Sequence, residues 1–589
     1  VLIMAVYRSD QAQLTFATEG GHGGYPELAS GVSDGSGTAV INMSAGLPAG
    51  SRQVTVDALS GLTDGEYIQI GPEVAGSGTV RESEVRRVEY VDGTTGLTLD
   101  APTAFFHADN TNIQVVTAVT AANKEKLITW VPGVYETVEV PDPEEAIEGR
   151  YLLGTNQRRN FFVAYKGQQT FTGSLGGFVL LNGWPLRYPI GKVTSNPVGG
   201  TITNRTYVKT SSKKGDIYLN VNSETGLSVG TTIVLEHSTS SVSTDTSEIR
   251  RITALSGTGA STYLTLNYPL QFDHTAAGSG TTQVKSFAND QTYYLHNIFE
   301  TVDLDTISWH VHMRDSGETL ANDFDRRYFG GHVGSMTLTA DEGGLLTTSW
   351  DGINFQDMVH NQKFHSSYGS GSTALPGYAL MQSIASTDIG VPAGDLTVTD
   401  YTAKGFPSTD PYYFSQGSLT MFGVEFARLR SFSLSIANNE EPRYYIGGQG
   451  KGTNRHRGPS EIRENNREYS MSASVVLPDS TVAATDTARK LFTELLLEGD
   501  YGTTSSSMSG FNVELTFTRG SNDTIQILIP DDYTSGDEST GAAAGGGQQG
   551  AFIRSAPHTI SGDNPLQVEA DILFRNMKIQ IKDSEPFYP

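Results

Sequence analysis

His310 and His312 share one face of the run Ile307-Ser308-Trp309-His310-Val311-His312-Met313 if that run alternates as a strand, and two imidazoles so spaced could hold a metal ion. No third ligand accompanies them, so a polar strand face is expected. Asp323 and Asp325 beside Arg326-Arg327 could gather a cation, but they lack the spacing of a calcium loop. Gly447-Gly448-Gln449-Gly450-Lys451-Gly452-Thr453 has the glycines of a phosphate cradle without P-loop spacing or a following apolar helix, and reads as a hairpin tip. The pairs Arg86/Arg87 and Arg250/Arg251 could bind phosphate; beside Glu84 and Glu248, inside strands, cross-strand ion pairs are expected instead. His107 and His274 stand alone at loop entrances, where a capping or packing role is expected, and Asp341-Glu342 reads as a turn. No nucleophile elbow, zinc pattern or His-Glu-x-x-His is present. The sequence therefore points to no enzyme, no cofactor and no metal site.

The elements that carry these residues are strands. With 589 residues the chain can bury a sizeable core, and 65 glycines, abundant Thr and Ser and few helical patterns indicate a mainly β protein. Cysteine is absent, which excludes disulfides and thiolate sites. The formal charge of -25 disfavours binding that works by neutralising phosphates. Lysines number 14 against 26 arginines beneath 65 acidic residues, a balance that suggests a salt-adapted surface and a saline host. No apolar run reaches membrane-spanning length, so no membrane is expected among the partners. Val1 to Val6 lacks a basic flank and a cleavage site, and is expected to be a strand or arm.

One unit occurs twice. Ser83-Glu84-Val85-Arg86-Arg87-Val88 returns as Ser247-Glu248-Ile249-Arg250-Arg251-Ile252, and Leu97-Thr98-Leu99-Asp100 with Pro102, Phe105 and His107 returns as Leu264-Thr265-Leu266-Asn267 with Pro269, Phe272 and His274. Each copy, 49–118 and 211–285, has about four short strands with turn signals between them, enough for a small barrel. Two copies are too few for a solenoid.

Farther along, Val333 to Trp350 reads as a hairpin with an acidic Gly-Gly turn, and two long alternating runs span Phe422 to Leu477. Between these runs lies a polar excursion, 438–462. A helix is predicted over 485–498, capped by Thr485 or Asp486 and stopped by Gly499. Phe511 to Ile529 reads as a hairpin, Gly541 to Gly550 as a low-complexity link, and Leu566 to Phe574 as a last main strand.

Taken in order, Ser-Leu-Ser-Ile-Ala-Asn-Asn-Glu-Glu-Pro-Arg-Tyr, Arg-Gly-Pro-Ser-Glu-Ile, Arg-Glu-Tyr-Ser-Met-Ser-Ala-Ser-Val and the following helix and hairpin resemble the tail tube proteins, or major tail proteins, of long-tailed phages and viruses. With the acidic composition, the resemblance extends to tailed viruses of haloarchaea. It implies a tail-tube β-sandwich with one packed α-helix, contributing to a multi-subunit inner β-barrel, with the two repeated modules inserted in it. The division implied is 1–48 as N-terminal strand and arm, 119–210 and 286–589 as the two parts of the tube core, and 49–118 and 211–285 as inserted modules. The implied function is structural: homohexameric rings of a siphovirus type, stacked into a tube in the virion tail, through which DNA is ejected without specific binding. Tape-measure, tail-terminator and distal tail proteins are the implied partners. Asn438, Asn439, Tyr444, Tyr445, Arg455, Arg457 and Ile462 are the candidates for contact between subunits, since Tyr and Arg concentrate at interfaces. The alternative is a β-rich host-surface or glycan-binding adhesin; that class predicts a signal peptide. A polysaccharide-degrading tail protein predicts paired carboxylates in a regular β-helix.

Overall fold

The structure, a computed structural model, describes residues 12–18, 41–47, most of 51–116, 137–150, most of 163–313, 324–360, most of 410–444 and 458–476, 511–531, 550–559 and most of 567–588. The chain is mainly β. The short helical turns among the described residues include Trp184–Leu186, Arg187–Ile190 and Phe414–Gln416.

Two sheets face each other across one core. The larger, nine-stranded, runs Ala551–Ser555, Gln567–Phe574, Glu468–Val476, Leu429–Ala437, Ser335–Asp341, Thr347–Asn354, Thr172–Val179, Thr137–Glu139, with His558–Thr559 on the same neighbour as Ala551–Ser555. All of its pairings are antiparallel. The smaller, seven-stranded, runs Gly191–Pro197, Tyr294–Glu300, Lys578–Asp583, Asp523–Ile529, Val513–Gly520, Gly417–Met421, Val424–Glu425.

Period-two alternation produces this sandwich, because successive side chains point to opposite faces of a strand. Phe432, Leu434 and Ile436 go inward on one central strand, and Tyr469, Met471, Ala473 and Val475 on its neighbour. Leu515, Phe517, Ile525, Ile527, Ile579 and Ile581 meet them from the other sheet in the same core, where Phe432 and Phe517 lie 5.6 Å apart. Each such fully buried side chain contributes roughly 1.5–3 kcal/mol by leaving water. The first of the two long alternating runs proves to be two strands: Val424–Glu425 pairs with Gly417–Met421 in the smaller sheet, while Leu429–Ala437 belongs to the larger.

The core hairpin extends past the sandwich into a four-stranded sheet, Ala12–Thr18, Ile307–Met313, Phe324–Gly331, Asp357–His360. Trp309, Tyr328 and Phe355 seal the join, at 5.2 and 5.6 Å. The buried turn Trp184–Ile190 plugs the sandwich beside it.

Residues 41–116 and 202–287 each form a six-stranded barrel. Numbering strands within each, the order is 1-6-3-4-5-2 in both. The bridges Met43↔Val56 and Val208↔Val221 join strand 1 to strand 2 and close each ring. Both carry a bulge at the same place, between Val88 and Tyr90 and between Ile252 and Ala254. Closure removes the sheet edges that an open six-stranded ribbon would expose. The helix expected at 485–498, the link 541–549 and the stretch 366–409 lie outside the described residues.

Candidate functional site

On the central strands of the larger sheet the outward face is built mainly of small hydroxyls. Alternation that sends Met336, Leu338, Leu434, Met471 and Ile572 inward sends Ser and Thr outward. Read across the strands, one row is Ser349, Thr337, Ser435, Ser470 and the exposed Leu573, and the next is Thr347, Thr339, Ser433, Ser472, Asp571. A third is Asp341, Ser431, Ser474, Glu569. Thr339 and Thr347 share a hydroxyl–hydroxyl bond of 3.1 Å, and the Ser174 hydroxyl donates to Glu139 at 3.0 Å. The charges that rim the face are mainly acidic: Glu139, Asp341, Asp351, Glu468 and Glu569. Among the described residues Arg430 pairs with Glu342 at 3.1 Å and Arg554 with Asp571 at 2.7 Å.

Two β-ribbons project from this sheet. Thr137–Glu139 and Thr172–Val179 continue as Glu144–Arg150 paired with Val163–Thr170, where Ile147 and Tyr165 are 65% and 58% exposed. The second, Glu441–Arg443 with Glu461–Arg463, is the root of the excursion predicted at 438–462. Tyr444 ties the two ribbons, its hydroxyl donating to the Gln169 carbonyl at 3.0 Å.

The predicted interface residues thus fall into three groups. Asn438 is wholly buried: its amide donates to the carbonyls of Pro189 and Val333 at 3.0 and 2.7 Å and its oxygen accepts from Arg467 at 2.7 Å. Ile462 is buried at the ribbon root. Asn439, in left-handed backbone at φ 49, is exposed and bonds Asn466, and Tyr444 is half-buried. Tyr445, Arg455 and Arg457 lie outside the described residues, as does Gly447 to Thr453.

The same root holds a cluster that the sequence did not single out. Glu440, buried, lies 3.8 Å from His332 Nδ1, and Glu464 lies 3.6 Å from the same nitrogen. Burial pushes Glu440 up, Glu464 adds to this, and His332 and Arg467 oppose it, leaving it at about 7. Glu464 is held below the usual carboxylate range: burial alone would raise it, but His332 and the Leu304 amide, 2.7 Å away, outweigh that. The only sequence signal was the pair of acids flanking the excursion.

The repeated Glu-x-Arg motif is not the expected cross-strand pair. Glu248 and Arg250 lie on one strand, two residues apart and so on the same face, 2.5 Å from each other. Of the capping or packing role expected for it, His274 takes a packed one: it completes a buried triad, Nε2 to Glu248 at 2.6 Å. His107 occupies the corresponding bridge in the first barrel, Leu47↔His107 against Ser212↔His274, and is likewise buried. His310 and His312 lie on the strand Ile307–Met313, opposite Arg327 and Asp325 by register. Asp325 and the two arginines after it are on Phe324–Gly331, where Arg326 pairs with Asp142. No group of three or more His, Asp or Glu placed to hold a metal ion occurs among the described residues. Among those residues no helix is long and apolar enough to cross a membrane.

A family model described as phage tail tube protein matches residues 155–572. No curated protein matches the chain.

Proposed function

The chain belongs to the phage tail tube protein family and is a structural component of the virion tail; from that premise we propose that copies of it close into six-membered rings, stacked into a hollow tube, with the hydroxyl face of the larger sheet lining the bore. The observation that carries this reading is the sheet itself. Its path has eight columns, because His558–Thr559 continues the column begun by Ala551–Ser555. With an even number of antiparallel columns the two edge strands run in opposite directions. A copy rotated about the tube axis therefore brings Ala551–Ser555 against its neighbour's Thr137–Glu139 in antiparallel register, and the closed barrel has no edge left to aggregate. Arg554 on one edge and Glu139 on the other supply complementary charge to that seam.

On such a bore the described arginines, Arg430 and Arg554, are paired beneath an acidic rim, so DNA could pass without being held. The ribbons at 144–170 and 441–463, with Asn439, Tyr444 and the excursion beyond, supply contacts between rings; Asn438 and Ile462 fix the root. The second barrel is joined to the far sheet, away from the hydroxyl face, which supports an outward position for both modules. Tape-measure, terminator and distal tail proteins would meet the tube at its bore and ends.

The test is electron microscopy of the purified protein at low and at molar salt, together with a Glu139→Cys/Arg554→Cys variant, clean because the natural chain has no cysteine. Rings or tubes, and a disulfide ladder ending at six subunits on oxidation, are expected; assembly strengthened by molar salt would support a saline host. Monomers at all salt concentrations, with no ladder, would overturn the reading.

A further inference from the structure

We infer that Glu440, His332 and Glu464 form a proton-operated lock at the root of the 441–463 ribbon, closed while the cluster keeps a proton and loosened when it is lost. Glu440 immediately precedes the strand Glu441–Arg443, and Glu464 immediately follows Glu461–Arg463. Since Glu441 pairs with Arg463, the two acids stand at the two feet of the ribbon, while His332 belongs to the core hairpin beneath them. The Glu440 side chain is fully covered, and neither of its oxygens receives a hydrogen bond. A buried carboxylate in that condition is costly unless neutralised.

Among the described residues, the further charged group facing it, Arg467, is directed elsewhere. Its Nε donates to Asn438 at 2.7 Å, its Nη1 donates to the Ile190 carbonyl at 2.8 Å and to the Tyr469 hydroxyl at 3.2 Å, and Glu300 lies 3.7 Å away. Loss of the Glu440 proton sets a second carboxylate beside Glu464 at the feet of the ribbon, covered and without a hydrogen bond, in a site where like charges repel strongly.

The direction of the pH response follows from Glu440 being raised from 4.5 to about 7 in the closed root. Its favourable contribution is complete below the ordinary value and is lost as the pH rises through about 7. The lock acts within a single subunit, so it does not depend on tube assembly.

Hydrogen exchange of the ribbon-root amides, read by mass spectrometry on the full chain and corrected for intrinsic base catalysis, tests it. Between pH 5 and pH 7 protection is expected to fall by up to about tenfold per pH unit, the limit for one proton, and then to level off. Glu440→Gln, neutral at every pH, should flatten the profile. His332→Gln, which removes a charge that holds Glu440 down, should move the midpoint to higher pH. A wild-type profile without a fall, a Glu440→Gln profile that falls like wild type, or an unmoved midpoint in His332→Gln would each overturn the lock.

Discussion

The two small barrels repeat each other in topology and interior while differing in what surrounds them. By register, Val54, Val56, Ile68, Ile70, Val88, Leu97, Leu99 and Ile113 of the first correspond to Leu219, Val221, Ile233, Leu235, Ile252, Leu264, Leu266 and Val284 of the second, and each set forms its own core. The second barrel also faces the sandwich. Val234, Ile249 and Phe287 enter the sandwich core, Ser195 donates its amide to the Ser247 carbonyl at 2.9 Å, and Phe272 stacks on Phe299 at 6.3 Å. Asp305 lies buried between Arg187 and Lys214, the latter at 2.8 Å. Among the described residues, the core of the first barrel contains none of the sandwich. At the positions of Val234, Ile249 and Phe287 the first barrel has Gln69, Val85 and Val116. The interior is thus fixed by the barrel's own closure, whereas the outer positions follow the neighbour each barrel has.

The most drastic way to break this comparison is excision. Residues 41–116 alone should give a cooperative thermal transition by circular dichroism, because their core is self-contained. Residues 202–287 alone should melt without cooperativity or aggregate, having exposed Val234, Ile249 and Phe287; a sharp transition there would show that the sandwich contact is dispensable. Next in size is Asp305→Asn, which leaves Arg187 buried without a counter-charge and should cost about 3–5 kcal/mol in urea unfolding of the full chain. Burial alone would raise Asp305, but Lys214 and Arg187 bring it down to about 2. Its contribution is therefore present above the ordinary value of 3.8 and lost as the pH falls toward about 2, roughly 2 kcal/mol that the variant should no longer show. The smallest effect falls within the second barrel. Gly230 has φ +87 and nothing within 4 Å of an added Cβ, so Gly230→Ala should cost about 1 kcal/mol through backbone strain alone.

Much of this architecture was legible in the residues. The alternating runs at 429–437 and 468–476, the hairpin around Asp341 to Gly344 and the hairpin 513–529 all lie where period-two spacing placed them. The repeat was visible because Glu-x-Arg and the later His recur in identity, and in the second barrel these residues form a buried triad that demands more than apolarity. What escaped was long-range. Nothing local in Gly183 to Pro189 announces that Arg187 meets Asp305, or that the first strand of each barrel pairs with the last. The hydroxyl face was written as Ser470, Ser472 and Ser474, but its extent over several strands depends on register, which spacing within one strand does not give.

In each barrel the first strand pairs with the last, Ile41–Asn42 with Asn112–Val116 and Ile202–Tyr207 with Thr282–Phe287. Chain entry and exit are therefore adjacent, a few ångströms apart, as neighbouring strands must be. A unit built this way interrupts its host at a single point and can be gained, lost or exchanged without changing the host's register. If the barrels face outward, the two insertion points are sockets: other compact domains with neighbouring termini could be carried there, repeated at every subunit along the particle.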